Sequence, residues 1–243
     1  ASLAPARAEV AGSGPLPPDE PTLASEGERP VVHSAGTGET WIIPRLLFPD
    51  FDAASAAPLV FGAGSAIALE ARYGVAAVSP ATGEVLQIDP AAPDTVKGRW
   101  PIAIDADSEV EISVAGDRWV VLDAAAGLLH TSSGTTDLSA LLPVGADPVL
   151  AAPDSSAVDA IIAYRGGLIA VPLGGGDPRV VVDGRDGAPA RPVTVDGCVY
   201  AAWADGSAWR DCGVGVAVGP DRAWRWFRVL TTSSTSCCAA SWL

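Results

Sequence analysis

The sequence is poor in the side chains that most often hold metals or carry out acid-base chemistry. Its 243 residues include two histidines, His33 and His130, four cysteines and no methionine. Metal centres and acid-base pairs need several such groups close together, so few constellations of this kind can form. We predict no catalytic residue, no metal ligand and no bound cofactor.

Basic residues are scarce as well. The chain has 15 lysines and arginines against 29 aspartates and glutamates, which gives a net charge of -14. Such a surface repels the phosphates of nucleic acids and the anionic headgroups of membranes. We therefore expect a protein or polysaccharide ligand and no nucleic-acid partner.

Long apolar runs are also missing. No run approaches the roughly 20 apolar residues that a membrane-spanning helix needs, so we expect no membrane contact by this chain itself. No signal peptide is recognisable, and the chain begins at Ala1 without a methionine. The sequence is therefore expected to be a processed product or a fragment of a longer protein.

Glycine and proline are abundant, with 26 and 21 residues scattered among short runs of Val, Ile, Leu and Ala. Both disfavour long helices, and this distribution is typical of many short strands joined by tight turns. One pattern recurs along the chain: a short apolar run, a turn centred on glycine, and a second short apolar run. The turn glycines are Gly38, Gly83, Gly127, Gly166 and Gly206, spaced by about 40 to 45 residues, the period of a four-stranded propeller blade.

These repeats predict an all-β fold, a β-propeller of four-stranded blades with about five blades visible. A β-sandwich also has short strands and frequent turns, but it predicts no repeat of this period. We assign residues 1–21 to a proline-rich lead-in or the remnant of a preceding blade, 22–229 to the propeller repeats and 230–243 to an irregular tail. At about 43 residues per blade, the length fits a five-bladed ring and equally a larger ring from which a part is missing.

The turns at residues 34–41 (SAGTGETW) and 79–86 (SPATGEVL) resemble the D-x-x-T-G-x-x-W turns of PQQ-like propeller repeats. The segment at residues 193–213, with Cys198, Trp203 and Cys212, resembles a group of actinobacterial cell-surface proteins. Those proteins carry a membrane helix, a PQQ-like propeller and then fibronectin type III or bacterial Ig-like domains. The resemblance covers residues 22–229 and implies an extracellular module of a membrane-anchored parent, with the fibronectin type III or Ig-like modules downstream. The resemblance implies no catalytic residue, because none is established for those proteins. It is limited to the turn repeats, so we do not expect the quinone cofactor.

Cys198 and Cys212 flank the fifth hairpin. Folding the chain at residues 204–206 places them opposite each other, or one step off, on adjacent antiparallel strands. We predict a disulfide, which for a loop of about 15 residues stabilises by about 3 kcal/mol and implies an exported location. The alternative is a pair of reduced, buried cysteines. Cys237 and Cys238 lie in the Ser- and Thr-rich end, which we interpret as a disordered tail or as an out-of-frame end.

Four tryptophans recur around the hairpins, and we predict that they pack between blades: Trp41, Trp119, Trp203 and Trp209. The alternative is an exposed aromatic platform for a sugar or a peptide on one propeller face. His33 and His130 lie on or near hairpin strands, where we expect partly buried structural histidines rather than a joint ligand pair.

The expected function is that of a non-catalytic extracellular interaction or scaffold module within a larger surface protein. Two alternatives stay open. One is a carbohydrate-active enzyme or a carbohydrate-binding propeller. The enzyme would need several carboxylates that converge on one face of the central channel. The other is an inactive fragment of a longer propeller protein.

Overall fold

The computed structural model describes residues 22–26, 29–43, 58–70, 73–195, 197–212 and 215–218. This part of the chain forms β1 to β20 and contains no helix. The strands are short, and each is followed by a turn or loop. The structure is therefore all-β, as the glycine and proline content predicts.

The strands form separate four-stranded antiparallel sheets, each built from consecutive strands. Sheet I contains β1 (Thr22–Glu26), β2 (Arg29–His33), β3 (Glu39–Ile42) and β4 (Leu59–Val60). Sheet II contains β5 (Ala66–Glu70), β6 (Gly74–Ser79), β7 (Glu84–Asp89) and β8 (Ala92–Pro101). Sheet III contains β9 (Val110–Ala115), β10 (Arg118–Asp123), β11 (Leu128–Thr131) and β12 (Gly134–Asp137).

Two further sheets follow with the same strand order. Sheet IV contains β13 (Val149–Leu150), β14 (Asp159–Tyr164), β15 (Gly167–Pro172) and β16 (Arg179–Val182). Sheet V contains β17 (Val193–Val195), β18 (Cys198–Ala202), β19 (Ala208–Asp211) and β20 (Gly215–Val218). Five consecutive four-stranded sheets are the blades of a β-propeller and differ from the two facing sheets of a sandwich.

The first strands of sheets I to IV lie side by side. These contacts join β1 to β5, β5 to β9 and β9 to β13. They place the first strands on the inside of the arc and the fourth strands on its outer side. Within the described part of the chain, no corresponding set of contacts closes sheet V onto sheet I, so no closed ring is seen.

The predicted turn glycines occupy the turn between the second and third strands of every sheet. Each has a positive φ: Gly38 at 73°, Gly83 at 63°, Gly127 at 67°, Gly166 at 139° and Gly206 at 84°. In three sheets the glycine carbonyl accepts a hydrogen bond from the residue that directly follows the fourth strand. These bonds join Phe61 N to Gly38 O at 2.9 Å, Ile102 N to Gly83 O at 2.8 Å and Leu138 N to Gly127 O at 2.8 Å.

A polar residue at the end of the second strand closes the same turn. Ser34 Oγ accepts a hydrogen bond from Thr37 N at 3.3 Å, and Ser79 Oγ accepts one from Thr82 N at 3.4 Å. Asp123 takes the equivalent place in sheet III, where its Oδ1 accepts from Ala126 N at 3.0 Å. The pattern S/D-x-x-T/A-G is therefore a turn motif in which the first side chain accepts a hydrogen bond from the amide three residues on.

Apolar side chains fill the space between each pair of neighbouring sheets. Between sheets III and IV, Leu122, Leu129 and Ile162 are fully buried, and burying such a side chain stabilises by about 1.5–3 kcal/mol. The other three clusters include Val75 and Ile88 between sheets I and II, Val85 and Trp119 between II and III, and Leu168 and Trp203 between IV and V.

The four tryptophans singled out from the sequence are buried, and three of them belong to this packing: Trp119 between sheets II and III, and Trp203 and Trp209 between sheets IV and V. Their exposed fractions are small: Trp41 9%, Trp119 1%, Trp203 4% and Trp209 9%. Trp203 Nε1 also donates a hydrogen bond of 2.9 Å to Tyr164 O, across from sheet V to sheet IV. Rings this deeply buried provide no exposed aromatic platform, because their faces are already covered by protein.

The predicted disulfide between Cys198 and Cys212 is present, with Cα atoms 4.2 Å apart. The pairing of Val199 with Asp211 in β18 and β19 puts the two cysteines directly opposite each other. A disulfide indicates an oxidising environment. In the described residues no helix is long and apolar enough to span a bilayer. Cys237 and Cys238, the lead-in 1–21 and the tail 230–243 lie outside the described residues.

Candidate functional site

The two edges of the sheets present different loops. We call the edge with the hairpins between first and second strands the lower face, and the edge with the glycine turns the upper face. On the lower face the β5–β6 and β9–β10 hairpins lie close to the β11–β12 hairpin and to the loop that joins β13 to β14. These four segments surround a recess of about 330 Å³, which we call the lower pocket.

Sheet II forms one wall of the lower pocket with Glu70, Tyr73, Gln87 and Trp100, and two of these residues, Tyr73 and Trp100, are aromatic. The opposite wall comes from sheets III and IV and is made of small and polar residues. These residues are Gly116, Asp117, Ser132 and Ser155. The volume falls at the lower end of the range of about 300–1,000 Å³ that small-ligand pockets occupy.

Trp100 is the largest side chain of the lower pocket, and its position follows from its neighbours. Gly98 and Trp100 share one face of β8 because side chains alternate along a strand. A Cβ added at Gly98 would lie 2.2 Å from the six-membered ring of Trp100, so the ring lies back over that glycine. On the sheet III side it meets Trp119 with ring centroids 5.9 Å apart and planes tilted by 55°. Trp100 stays half-buried, whereas Trp119 is covered.

Two side chains of the pocket hold the backbone of Tyr73. Glu70 Oε2 accepts a hydrogen bond from Tyr73 N at 2.8 Å, and Gln87 Nε2 donates one of 2.8 Å to Tyr73 O. Burial, together with the nearby Asp117 carboxylate, raises the pKa of Tyr73 to about 12. The phenol is therefore neutral at physiological pH and available as a hydrogen-bond donor.

Asp117 lies at the rim of the lower pocket with its side chain 95% exposed. Arg118 Nε is 3.6 Å from its Oδ1, so the carboxylate charge is partly balanced. The guanidinium is itself fixed, because Arg118 Nη1 donates to Ser133 Oγ at 3.2 Å and to Leu173 O. The rim is thus a carboxylate held beside a positioned cation rather than an isolated negative charge.

A larger groove of about 740 Å³ opens on the upper face between sheets III and IV. Its walls include Leu142 and Val144, and Val144 is fully exposed. Asp147 at its edge adopts a φ of 46° and pairs with Arg165, Oδ2 to Nη2 at 2.8 Å. The groove has both apolar and acidic residues in its lining, and Asp147 at its edge belongs to an ion pair.

On the inner strands, Glu111 is already engaged with protein groups. Its Oε2 accepts a hydrogen bond from Leu150 N at 3.0 Å and lies 3.0 Å from Arg191 Nη2. Arg191 Nη1 also donates to Leu150 O at 3.0 Å. These hydrogen bonds and this ion pair connect the inner strands of sheets III and IV to the segment that leads into sheet V.

The two histidines are buried in different sheets. His33 lies in β2, where Nδ1 is 2.8 Å from Thr40 Oγ1 and Nε2 is 2.9 Å from Ser65 O. His130 lies in β11 with Nδ1 3.0 Å from Thr135 Oγ1, and burial lowers its pKa. Each ring bonds within or next to its own sheet, so the structure does not bring the two together. Over the described residues, no group of three or more His, Cys, Asp or Glu side chains is placed to hold a metal ion.

Sequence reasoning missed the lower pocket. Its residues are spread over three repeats, and only the packing of sheet II against sheet III brings them together. One local signal was available in β8, where Gly98 precedes Trp100 by two residues in a strand. A glycine at that spacing leaves room for the ring to lie along the strand, which marks Trp100 as different from the tryptophans of the hairpins.

Comparison with known proteins supports the fold class. No protein-family model matches the chain, and no curated protein matches its sequence. The WD40 domain of SCAP from fission yeast is 10% identical and superposes with a TM-score of 0.51, over 82% of this chain and 54% of that one. BBS1N, solved in complex with ARL6DN, is 13% identical with a TM-score of 0.51, over 81% of this chain and 64% of that one.

Virginiamycin B lyase from Staphylococcus aureus is also similar, at 11% identity and a TM-score of 0.46, over 63% of this chain and 53% of that one. Identities this low show the fold alone. The sheet order and the repeated turns, together with the two superpositions at a TM-score of 0.51, define the protein as a β-propeller. The chain spans between half and two thirds of the length of these three structures.

Proposed function

We propose that this chain is a non-catalytic interaction module, a β-propeller that binds a partner molecule through the loops of its faces. The observation that carries the proposal is the lower pocket. It is a preformed recess built by hairpins of three neighbouring sheets, and it combines aromatic, amide, hydroxyl and carboxylate groups. Such a mixture recognises a ligand through shape and hydrogen bonds.

The non-catalytic part of the proposal is supported by how the best-placed carboxylates are used. Hydrolysis of a glycosidic bond needs two carboxyl groups on either side of that bond. Glu111, on the inner strands, is committed to Arg191 and to the Leu150 amide. Glu70 accepts the Tyr73 amide and so fixes a hairpin. These contacts favour a binding module over the carbohydrate-active enzyme.

The wider setting of the module follows from the resemblance to PQQ-like repeats. We place the chain in an extracellular, membrane-anchored surface protein of actinobacterial type, with fibronectin type III or Ig-like modules downstream. The disulfide between Cys198 and Cys212 supports export to an oxidising compartment. In this setting the propeller contributes a docking surface, and anchoring is left to other parts of the parent protein.

A panel measurement tests the proposed function. The 243-residue chain is immobilised and presented with neutral oligosaccharides, anionic oligosaccharides and peptides, and the retained compounds are eluted and weighed by mass spectrometry. We expect saturable retention of at least one compound class, with the ligand recovered chemically unchanged. Conversion of a retained compound would contradict the non-catalytic assignment. Retention of nothing would favour the inactive fragment.

A further inference from the structure

We propose that the lower pocket is a saccharide-binding site that takes an uncharged pyranose unit of an oligosaccharide or polysaccharide, stacked on Trp100. The inference deepens the proposed function and rests on it, because it names the ligand class of a non-catalytic binding module. The aromatic group of the site is Trp100 rather than one of the four buried hairpin tryptophans, and it packs on one of them, Trp119.

The pocket walls match the two kinds of surface that a sugar ring presents. A pyranose has an apolar C–H face and a rim of hydroxyl groups that both donate and accept hydrogen bonds. Trp100 offers a half-buried aromatic surface to the apolar face. Across the recess, Ser132, Ser155 and Asp117 offer hydroxyl and carboxylate oxygens to the rim. The pocket therefore combines an aromatic surface with polar groups on both walls, and a pyranose ring can use both kinds of contact.

The walls of the pocket are held in place by contacts within the protein, without a ligand. The Trp100 ring is held between Gly98 and Trp119, and the Tyr73 hairpin is fixed by Glu70 and Gln87. Sugars bind weakly per contact because each hydroxyl exchanges water for protein. A rigid site reduces the ordering cost of binding, so this degree of preorganisation favours such a ligand.

The charges of the pocket residues favour an uncharged sugar over other classes of ligand. Glu70 and Asp117 repel a sugar that carries carboxylate, sulfate or phosphate groups. A purely apolar ligand would strip water from both carboxylates without replacing their hydrogen bonds. A lysine or arginine side chain of a partner would gain little at these carboxylates, because Arg118 already lies 3.6 Å from Asp117 and Glu70 already accepts a hydrogen bond from Tyr73 N. The observations therefore favour an uncharged pyranose over a basic peptide.

The experiment is calorimetric titration of the full chain with cellohexaose, maltohexaose, xylohexaose, mannohexaose and chitohexaose. At least one should bind, and Trp100→Ala should weaken it by about tenfold or more, since aromatic anchors carry much of a binding free energy. Trp100→Phe, which keeps a ring, should retain most of the affinity. Val144→Ser in the upper groove is the matched control and should leave the affinity unchanged.

Asp117→Ala keeps the test decisive if Trp100→Ala does not fold, because the Asp117 side chain is exposed and supports no core contact. It should weaken saccharide binding by about threefold or more through loss of a hydrogen bond. Failure of all five sugars to bind, or binding that neither variant changes, overturns the inference. If a lysine- and arginine-rich peptide binds through Trp100 and no sugar does, the pocket is a peptide site. Peptide binding elsewhere with no sugar binding refutes this inference while the proposed function stands.

Discussion

Replacing Gly38 with alanine tests the turn that repeats through the propeller. Gly38 has a φ of 73°, and an added Cβ would lie 2.1 Å from Gly62 O and 2.4 Å from Gly62 N. These are backbone atoms of the segment that leads into β5, so they cannot rotate away as a side chain can. Gly38→Ala must therefore shift the turn of sheet I away from the chain that enters sheet II.

Gly145→Ala is the matched control, because Gly145 has a φ of 75° and nothing within 4 Å of its added Cβ. Both variants carry the cost of an alanine at positive φ, about 1–2 kcal/mol. Gly38→Ala adds the strain of overpacking, about 1–3 kcal/mol, and weakening of the 2.9 Å bond from Phe61 N to Gly38 O, about 0.5–1.5 kcal/mol. We expect it to lower the free energy of unfolding by about 2–4 kcal/mol more than Gly145→Ala does.

The assay is urea unfolding of the wild type and both variants, followed by tryptophan fluorescence and far-ultraviolet circular dichroism. The difference between the two variants corresponds to a lower melting temperature of roughly 4–16 °C for a chain of this size. Equal destabilisation by the two substitutions would refute the reasoning. It would mean that the glycine turn of sheet I does not dock against the segment that enters sheet II.

Two further predictions concern stability. Replacing Cys198 and Cys212 together by serine should lower the free energy of unfolding by about 3 kcal/mol, because the disulfide closes a short loop with a sequence separation of 14. The wild type in reducing buffer should unfold at the same urea concentration as this variant. A urea midpoint that neither the substitution nor reduction changes would contradict the presence of the bond. The pKa of His130 is lowered by burial from 6.5, so the folded state binds this proton less readily than the unfolded chain. Stability from this group is fully present above about pH 6.5 and is lost as the pH falls towards the lowered folded value. The free energy of unfolding should therefore fall less between pH 7.5 and pH 5.5 for His130→Asn than for the wild type. An equal or larger fall for the variant would contradict this.

The fold could be predicted from the sequence because its signal is local and repeated. In the repeats of Gly38, Gly83 and Gly127, a serine or aspartate closes the turn four residues before the glycine. The spacing between these glycines corresponds to the length of one blade. The disulfide was predictable for the same reason, since the hairpin between Cys198 and Cys212 fixes which strands face each other. In both cases residues close in sequence determine the geometry.

The candidate site could not be predicted because it depends on contacts between repeats. Trp100 and Asp117 lie in different sheets, and their relation is set by how Trp100 packs on Trp119. Periodicity marks Trp119 as a hairpin residue but says nothing about what covers it. The aromatic residue of the lower pocket, Trp100, is half-buried and lies in an outer strand rather than at a hairpin.

The measurement that tests the central claim most directly is retention of defined ligands by the immobilised chain, with the eluted ligand analysed for chemical change. The account predicts that a compound is retained saturably and leaves with the mass and linkage with which it entered. A compound that is cleaved, oxidised or isomerised during its residence on the chain would contradict the account, as would a folded chain that retains nothing from the panel.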